Sequence, residues 1–145
     1  SNFKLNFDHP VKELIWTVPP NLTESSTIIS QQTKLEINGH DRFQERLGSY
    51  FNLVQPYQHH TNVPATGINV YSFALRPEEH QPSGTCNMSR IDNATLQLQL
   101  TPKSVGMDVT AAGTTNGKSG KLRVYATNYN VLRIMSGMGG LAYSN

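Results

Sequence analysis

The sequence predicts an all-β fold, an antiparallel β-sandwich of jelly-roll topology with about eight strands and a short helical insertion. Three observations carry this. Apolar residues recur with a period of two along most of the chain. Turn-forming clusters separate the alternating runs. No helical runs alternate with them, as a parallel α/β sheet would require.

Taken in order, Phe3, Leu5 and Phe7 share one face of the first run, with Lys4 and Asn6 on the other. Leu14, Trp16 and Val18 repeat the pattern until Pro19-Pro20, which cannot donate to a ladder. Leu35 and Ile37 alternate with Lys34 and Glu36 before the turn signal Asn38-Gly39. Phe43, Leu47, Tyr50, Phe51 and Val54 then recur at helical spacing, weakened by Gly48, which predicts one or two short helical turns within a long connection from Gly39 to Gly67. Residues Ile68 to Leu75 change parity near Val70-Tyr71, the mark of a bulge or of a strand covered on both faces. The cleanest alternation sets Ala94, Leu96, Leu98 and Leu100 against Thr95, Gln97 and Gln99, with Pro102 ending it. Val105, Met107, Val109 and Ala111 follow, then a loop from Ala112 to Lys121, the run Leu122, Val124, Ala126, and an apolar stretch from Val131 to Met135. The long connections 19–32 and 39–67 suit a Greek-key or jelly-roll path better than a meander. Trp16, Leu96, Leu98 and Val124 are expected between two sheets.

The 145 residues are expected to form a single domain spanning 1–145, large enough to bury a sizeable core. Twelve Lys+Arg against ten Asp+Glu give a net charge of +2, with the basic residues scattered, so direct binding of nucleic acid through bulk charge is disfavoured. The lone Cys86 cannot staple the fold or build a thiolate zinc site by itself and reads as a small core residue. No apolar run approaches the ~20 residues of a membrane-spanning helix, so no transmembrane segment is expected. The N-terminus begins within a strand pattern and has no signal-peptide layout, as expected for a piece of something longer.

Several short motifs invite chemistry. Ala112-Gly-Thr-Thr-Asn-Gly-Lys118-Ser119 fits a loose phosphate-binding loop, but a strand pattern follows where the phosphate-binding helix would have to start, so it reads as an exposed hairpin loop. His59-His60 could be joined in metal binding by His40, Asp41 or Glu78-Glu79-His80, yet adjacent residues on a strand point to opposite sides and no His-x-His occurs. No Gly-x-Ser-x-Gly nucleophile elbow is present, and the run Ser136-Gly-Met-Gly-Gly140 reads as a flexible or tightly turned terminal segment. No cofactor is expected. Asn21, Asn87 and Asn93 head glycosylation sequons, with Asn21 the one clearly in a loop.

Beyond these motifs, longer stretches resemble the C-terminal half of the major capsid proteins of nucleocytoplasmic large DNA viruses, the group that includes iridoviruses and algal viruses. They are Asp8-His-Pro-Val-Lys-Glu-Leu-Ile-Trp16, Tyr50-Phe-Asn-Leu-Val-Gln-Pro-Tyr-Gln-His-His60, Gly67-Ile-Asn-Val-Tyr-Ser-Phe-Ala-Leu75, Gln81-Pro-Ser-Gly-Thr-Cys-Asn-Met-Ser-Arg-Ile-Asp-Asn93 and the close from Tyr125 to Asn145. The resemblance implies a structural protein rather than an enzyme. It implies the second of two tandem jelly rolls, in a subunit that trimerises into pseudo-hexagonal capsomers of an icosahedral shell built in the host cytoplasm. The expected partners are two further copies, neighbouring capsomers or minor capsid proteins, and another chain or segment supplying the first jelly roll. The expected location is the virion.

Tyr50, Phe51, Tyr57, His59 and His60, in the long connection, are candidate subunit contacts, or else cap one end of the sandwich. Leu141 and Tyr143, in a tail too glycine-rich to order itself cheaply, are expected to dock on the same chain or, preferentially, on a neighbour. The rival readings are a lectin-like glycan-binding module and, more weakly, a cupin-type metal enzyme.

Overall fold

The computed structural model describes residues 2–17, 30–65, 67–100 and 122–143. Two antiparallel sheets face each other. The first has the order β1 (Asn2–Leu5), β7 (Ala94–Leu100), β3 (Ser30–Ile37), β4 (His40–Leu47). In the second, β2 (Pro10–Thr17) pairs along one edge with β8 (Arg123–Asn128) and along the other with β5 (Ile68–Ser72) and the short β6 (Cys86–Asn87). A π-helical turn, Tyr50–Val54, runs into the helix α1 (Gln55–His59). The chain closes in a separate hairpin of β9 (Leu132–Met135) and β10 (Met138–Leu141).

Period-two patterning places the core between the sheets. Leu96 and Leu98 on β7 and Leu35 on β3 project from the first sheet, while Val11, Leu14 and Trp16 project from the second. Strict alternation would not put Val11 and Leu14 on one face. The register with β8 shifts between Val11 and Glu13, so Lys12 is an extra residue and the strand changes parity there. Lys12 O then accepts from both Phe73 N (2.9 Å) and Ala74 N (3.2 Å). The bulge turns Val11, Leu14 and Trp16 inward and Glu13 and Ile15 outward.

Several expectations change. Residues 40–47, read as part of a long connection, form the strand β4. Asn38 and Gly39 both have positive φ (50° and 80°) and make a two-residue hairpin turn between the paired Ile37 and His40. Asn38 Oδ1 also accepts from the backbone N–H groups of Asp92 and Asn93, each at 3.1 Å, which fixes the turn beside the start of β7. Among the residues of β4 only Phe43 is appreciably buried, and bulges interrupt its pairing with β3, so Phe43 and Leu47 imitated helical spacing. The helical insertion is therefore confined to the turns after β4.

The parity change at Val70-Tyr71 reflects a strand covered on both faces. Tyr71 enters the core, while Val70 lies under the segment that follows α1. The glycine-rich tail is a tight hairpin, turned by Ser136 (φ 51°) and Gly137 (φ 76°). Val124 packs against the core but is only partly buried. The expected strand 105–111, the loop 112–121 with Lys118, Val18-Pro19-Pro20 and the Asn21 sequon lie outside the described residues.

Leu98 is 2 % exposed, at the centre of the first sheet. Leu98→Ala should destabilise the chain by roughly 2–5 kcal/mol in chemical denaturation. A loss below about 0.5 kcal/mol would place Leu98 outside the core.

Candidate functional site

Two features are candidates for function, the segment around α1 and the terminal hairpin. The first begins with Phe51, whose ring fills the end of the sandwich, with centroids 5.3 Å from Trp16 and 5.2 Å from Phe43. Phe51 is completely buried and caps the core, the second of the two readings given for it. Tyr50 packs edge-on to Phe51, its hydroxyl accepts from Gln55 Nε2 (2.9 Å), and Arg46 lies over its ring. Gln55 Oε1 in turn accepts from Ser72 N, and Asn52 Nδ2 donates to Ile68 O at 2.7 Å. These bonds hold the helical segment against β5.

His60 completes the attachment. Its Nε2 lies 2.7 Å from Glu13 Oε2 on β2, and its Nδ1 lies 2.9 Å from Glu78 Oε1. A neutral imidazole has one N–H, so both contacts form together only with the imidazolium or with one carboxyl protonated. Glu13, aimed outward by the Lys12 bulge, has a side chain only 9 % exposed, and His60 is the partner that makes this burial tolerable. Glu78 Oε1 also accepts from Thr61 N and Thr61 Oγ1. The His60 hydrogen bond, ahead of the Thr61 backbone bond, holds the Glu78 carboxyl below its ordinary range.

His59 is engaged separately, its Nδ1 lying 3.0 Å from Leu75 O. The two histidines therefore have different partners, and the described residues contain no group of three metal-ligating side chains. A cleft of about 190 Å³ lies between Pro56, His60 and Pro64 on one side and Ile15, Ile68 and Val70 on the other. It is smaller than a typical ligand pocket, which starts at about 300 Å³. Cys86 is partly buried, and that burial pushes its thiol up, away from the reactive thiolate. No helix among the described residues is long and apolar enough to cross a membrane. Asn87 and Asn93 are both exposed, the first using its side chain to accept from Ser89 N.

Of the candidates around α1, Tyr57 alone turns its side chain fully outward, at 81 % exposure. The hairpin carries the rest. Leu132 pairs with Leu141 and Ile134 with Gly139, so Leu132, Ile134 and Leu141 share one face, and all three are exposed. Met135 and Met138 form an exposed pair on the other face. Tyr143 is anchored at the base: Asn130 Oδ1 accepts from its N–H, Asn130 Nδ2 donates to its carbonyl, and its ring sits 6.1 Å from His9. The sequence reading singled out Leu141 and Tyr143 and did not single out Leu132, Ile134 and Met138, which lie in an apolar stretch and a glycine-rich run. It also missed Glu13, whose signal was a carboxylate inside the apolar run Val11 to Trp16.

His60→Ala leaves the Glu13 carboxylate buried without its partner and should cost roughly 1–3 kcal/mol in urea denaturation. Glu13→Gln with His60 intact should cost less. Because the folded Glu78 carboxyl is lowered, its contribution is present above the ordinary carboxylate range and is lost as pH falls through the lowered value. Glu78→Gln should therefore weaken the dependence of Tm on pH over that acid window. Unchanged melts in all three variants would show that the clamp does not hold α1.

Comparison with known proteins shows the family. A family model described as large eukaryotic DNA virus major capsid protein matches residues 1–140. The major capsid protein of Pyramimonas orientalis virus is 52 % identical over 171 residues, spanning 100 % of this chain and 39 % of that protein. The major capsid protein of Paramecium bursaria Chlorella virus 1 is 42 % identical, spanning 99 % of this chain and 43 % of the relative. That of Chrysochromulina ericina virus is 73 % identical over 112 residues, 77 % of this chain and 18 % of the relative. The quasi-atomic model of the PBCV-1 virus capsid superposes with a TM-score of 0.79 at 41 % identity, covering 100 % of this chain and 46 % of that one. The chain thus spans less than half the length of these relatives, and over that span it belongs to the family of large eukaryotic DNA virus major capsid proteins.

Proposed function

We propose that this chain is the jelly-roll part of a structural subunit of an icosahedral virus shell. The subunit forms trimeric pseudo-hexagonal capsomers together with a further jelly roll supplied by the rest of the protein or by another chain. Capsomers assemble with one another and with minor capsid proteins in the host cytoplasm and end in the virion. The observation that carries this reading is the hairpin Leu132–Leu141: its apolar side chains are exposed on both faces, and a two-stranded hairpin is marginal in water without further packing. So much exposed apolar surface in one place marks an interaction site. Tyr57 adds an aromatic anchor elsewhere on the surface. Nothing in the geometry of the described residues favours the lectin-like or cupin alternatives.

The complete protein should run as a trimer burying well over ~2,000 Å² per contact, as obligate interfaces do. Deleting residues 136–145 removes β10 and should impair trimerisation more than it lowers the melting temperature of the isolated 145-residue chain. Light scattering and thermal melts of both forms measure the two effects. A monomeric complete protein would contradict the capsomer reading, and a stable trimer after truncation would contradict the role of the hairpin.

A further inference from the structure

The clamp on the outer face of the second sheet is built around a proton count. His60 Nε2 lies 2.7 Å from Glu13 Oε2 and His60 Nδ1 lies 2.9 Å from Glu78 Oε1, so each ring nitrogen faces a carboxylate oxygen. Both hydrogen bonds form only when each carries a proton. An imidazolium between two carboxylates supplies them, and so does a neutral ring with one carboxyl protonated. Either arrangement holds one proton more than a neutral imidazole beside two carboxylates. Wherever that proton sits, opening the clamp releases it. The Glu78 carboxyl is held below its ordinary range, first by the His60 bond, which keeps it an ionised acceptor at neutral pH.

The two arms differ in what they can do without that proton. The Glu13 side chain is 9 % exposed and the Glu78 side chain 42 %, so water can replace the ring at Glu78 far more easily than at Glu13. A ring left with one N–H therefore keeps it on Nε2 for Glu13, and the bare Nδ1 lone pair meets the Glu78 carboxylate. That contact is repulsive. Glu78 Oε1 also accepts from Thr61 N and Thr61 Oγ1, so these bonds between the segment after α1 and the loop beyond β5 share one oxygen with the His60 arm. The neighbouring charged groups are engaged elsewhere. Glu79 pairs with Arg76, Lys12 lies over the Tyr129 ring, Tyr71 points into the core and His80 stands exposed. His59 Nδ1 faces the carbonyl of Leu75, which a neutral ring serves as well as a charged one. We propose that this junction is a proton latch: the loop carrying Glu78 is locked to the segment after α1 by the extra proton at His60, and parts from it locally as pH rises. Losing the proton also leaves the surface beside α1 more negative. The latch rests on the geometry of these side chains and not on the capsid reading.

The test is amide hydrogen exchange followed by NMR on the 145-residue chain, from about pH 6 to about pH 9 and corrected for the intrinsic pH dependence of exchange. Thr61 N is the reporter, because it donates to Glu78 Oε1. Its protection should fall roughly tenfold per pH unit across the latch transition, since opening releases one proton. The Leu96 amide, in the core strand β7, should show no such change. In Glu78→Gln the side-chain amide can accept from an Nδ1–H or donate to a bare Nδ1, so the junction closes in either charge state and the Thr61 slope should vanish. In the unmodified chain, the nitrogen shifts of the His60 ring should show Nδ1 losing its proton over the same pH range in which Thr61 loses protection, with Nε2 keeping its own. Thr61 protection that ignores pH, an equal slope in Glu78→Gln, or parallel loss of protection at Leu96 would each overturn the latch. So would ring deprotonation at a pH unrelated to Thr61 opening, a result that requires no variant to fold.

Discussion

The second sheet depends on one strand being buried on both of its faces. β2 sends Val11, Leu14 and Trp16 into the core and holds Glu13 and Ile15 under the segment around α1. A regular strand of this sequence could not do both, because alternation would separate Val11 from Leu14. The extra residue at Lys12 solves the mismatch, and its carbonyl anchors the backbone just beyond β5. The same bulge aims a carboxylate at a covered surface. Leaving that carboxylate unpaired would cost roughly 1–3 kcal/mol, and His60, itself bonded to Glu78, is what keeps the cost from being met in full. The placement of α1, Phe51 in the sandwich end and the outer cover of β5 all follow from this geometry.

How much of this was legible in the sequence varied with how each strand is buried. β7 alternates without interruption because one face is core and the other polar, and Leu96 and Leu98 lie where that pattern puts them. Trp16 was found because the alternation is regular from Leu14 onward, beyond the bulge. β4 was missed because an edge strand with a single half-buried residue, Phe43, has almost no alternation to read, and its bulged pairing with β3 blurs the rest. The Asn38-Gly39 turn was visible, but nothing local shows that a strand rather than a connection follows it. The parity change in β5 was a true signal of two-sided cover, since both faces of that strand are buried.

The candidate site was less legible than the fold. Spacing cannot show that His60 belongs with Glu13, 47 residues away, because a bulge decides which way the carboxylate points. It likewise could not separate Phe51 from Tyr57: both are aromatic residues of one helical segment, yet one is sealed in the core and the other stands in solvent. The hairpin face formed by Leu132, Ile134 and Leu141 looks in sequence like any apolar strand, and only the fold leaves it uncovered. The resulting pattern is a closed centre with exposed apolar side chains gathered at the terminal hairpin and scattered elsewhere, Leu47, Tyr57 and Leu75 among them. Such a distribution suits a protein that works by association.

The measurement closest to the central constraint is urea denaturation of a chain from which Lys12 alone has been deleted. Removing the bulge returns β2 to simple alternation and forces either Val11 or the Leu14–Trp16 pair out of the core, so the deletion should cost more than about 3 kcal/mol or abolish cooperative unfolding. Lys12→Ala keeps the backbone and removes only a half-exposed side chain lying over the Tyr129 ring, so it should cost no more than about 1 kcal/mol. A deletion no worse than the alanine variant would contradict the account, because β2 would then fold without the bulge.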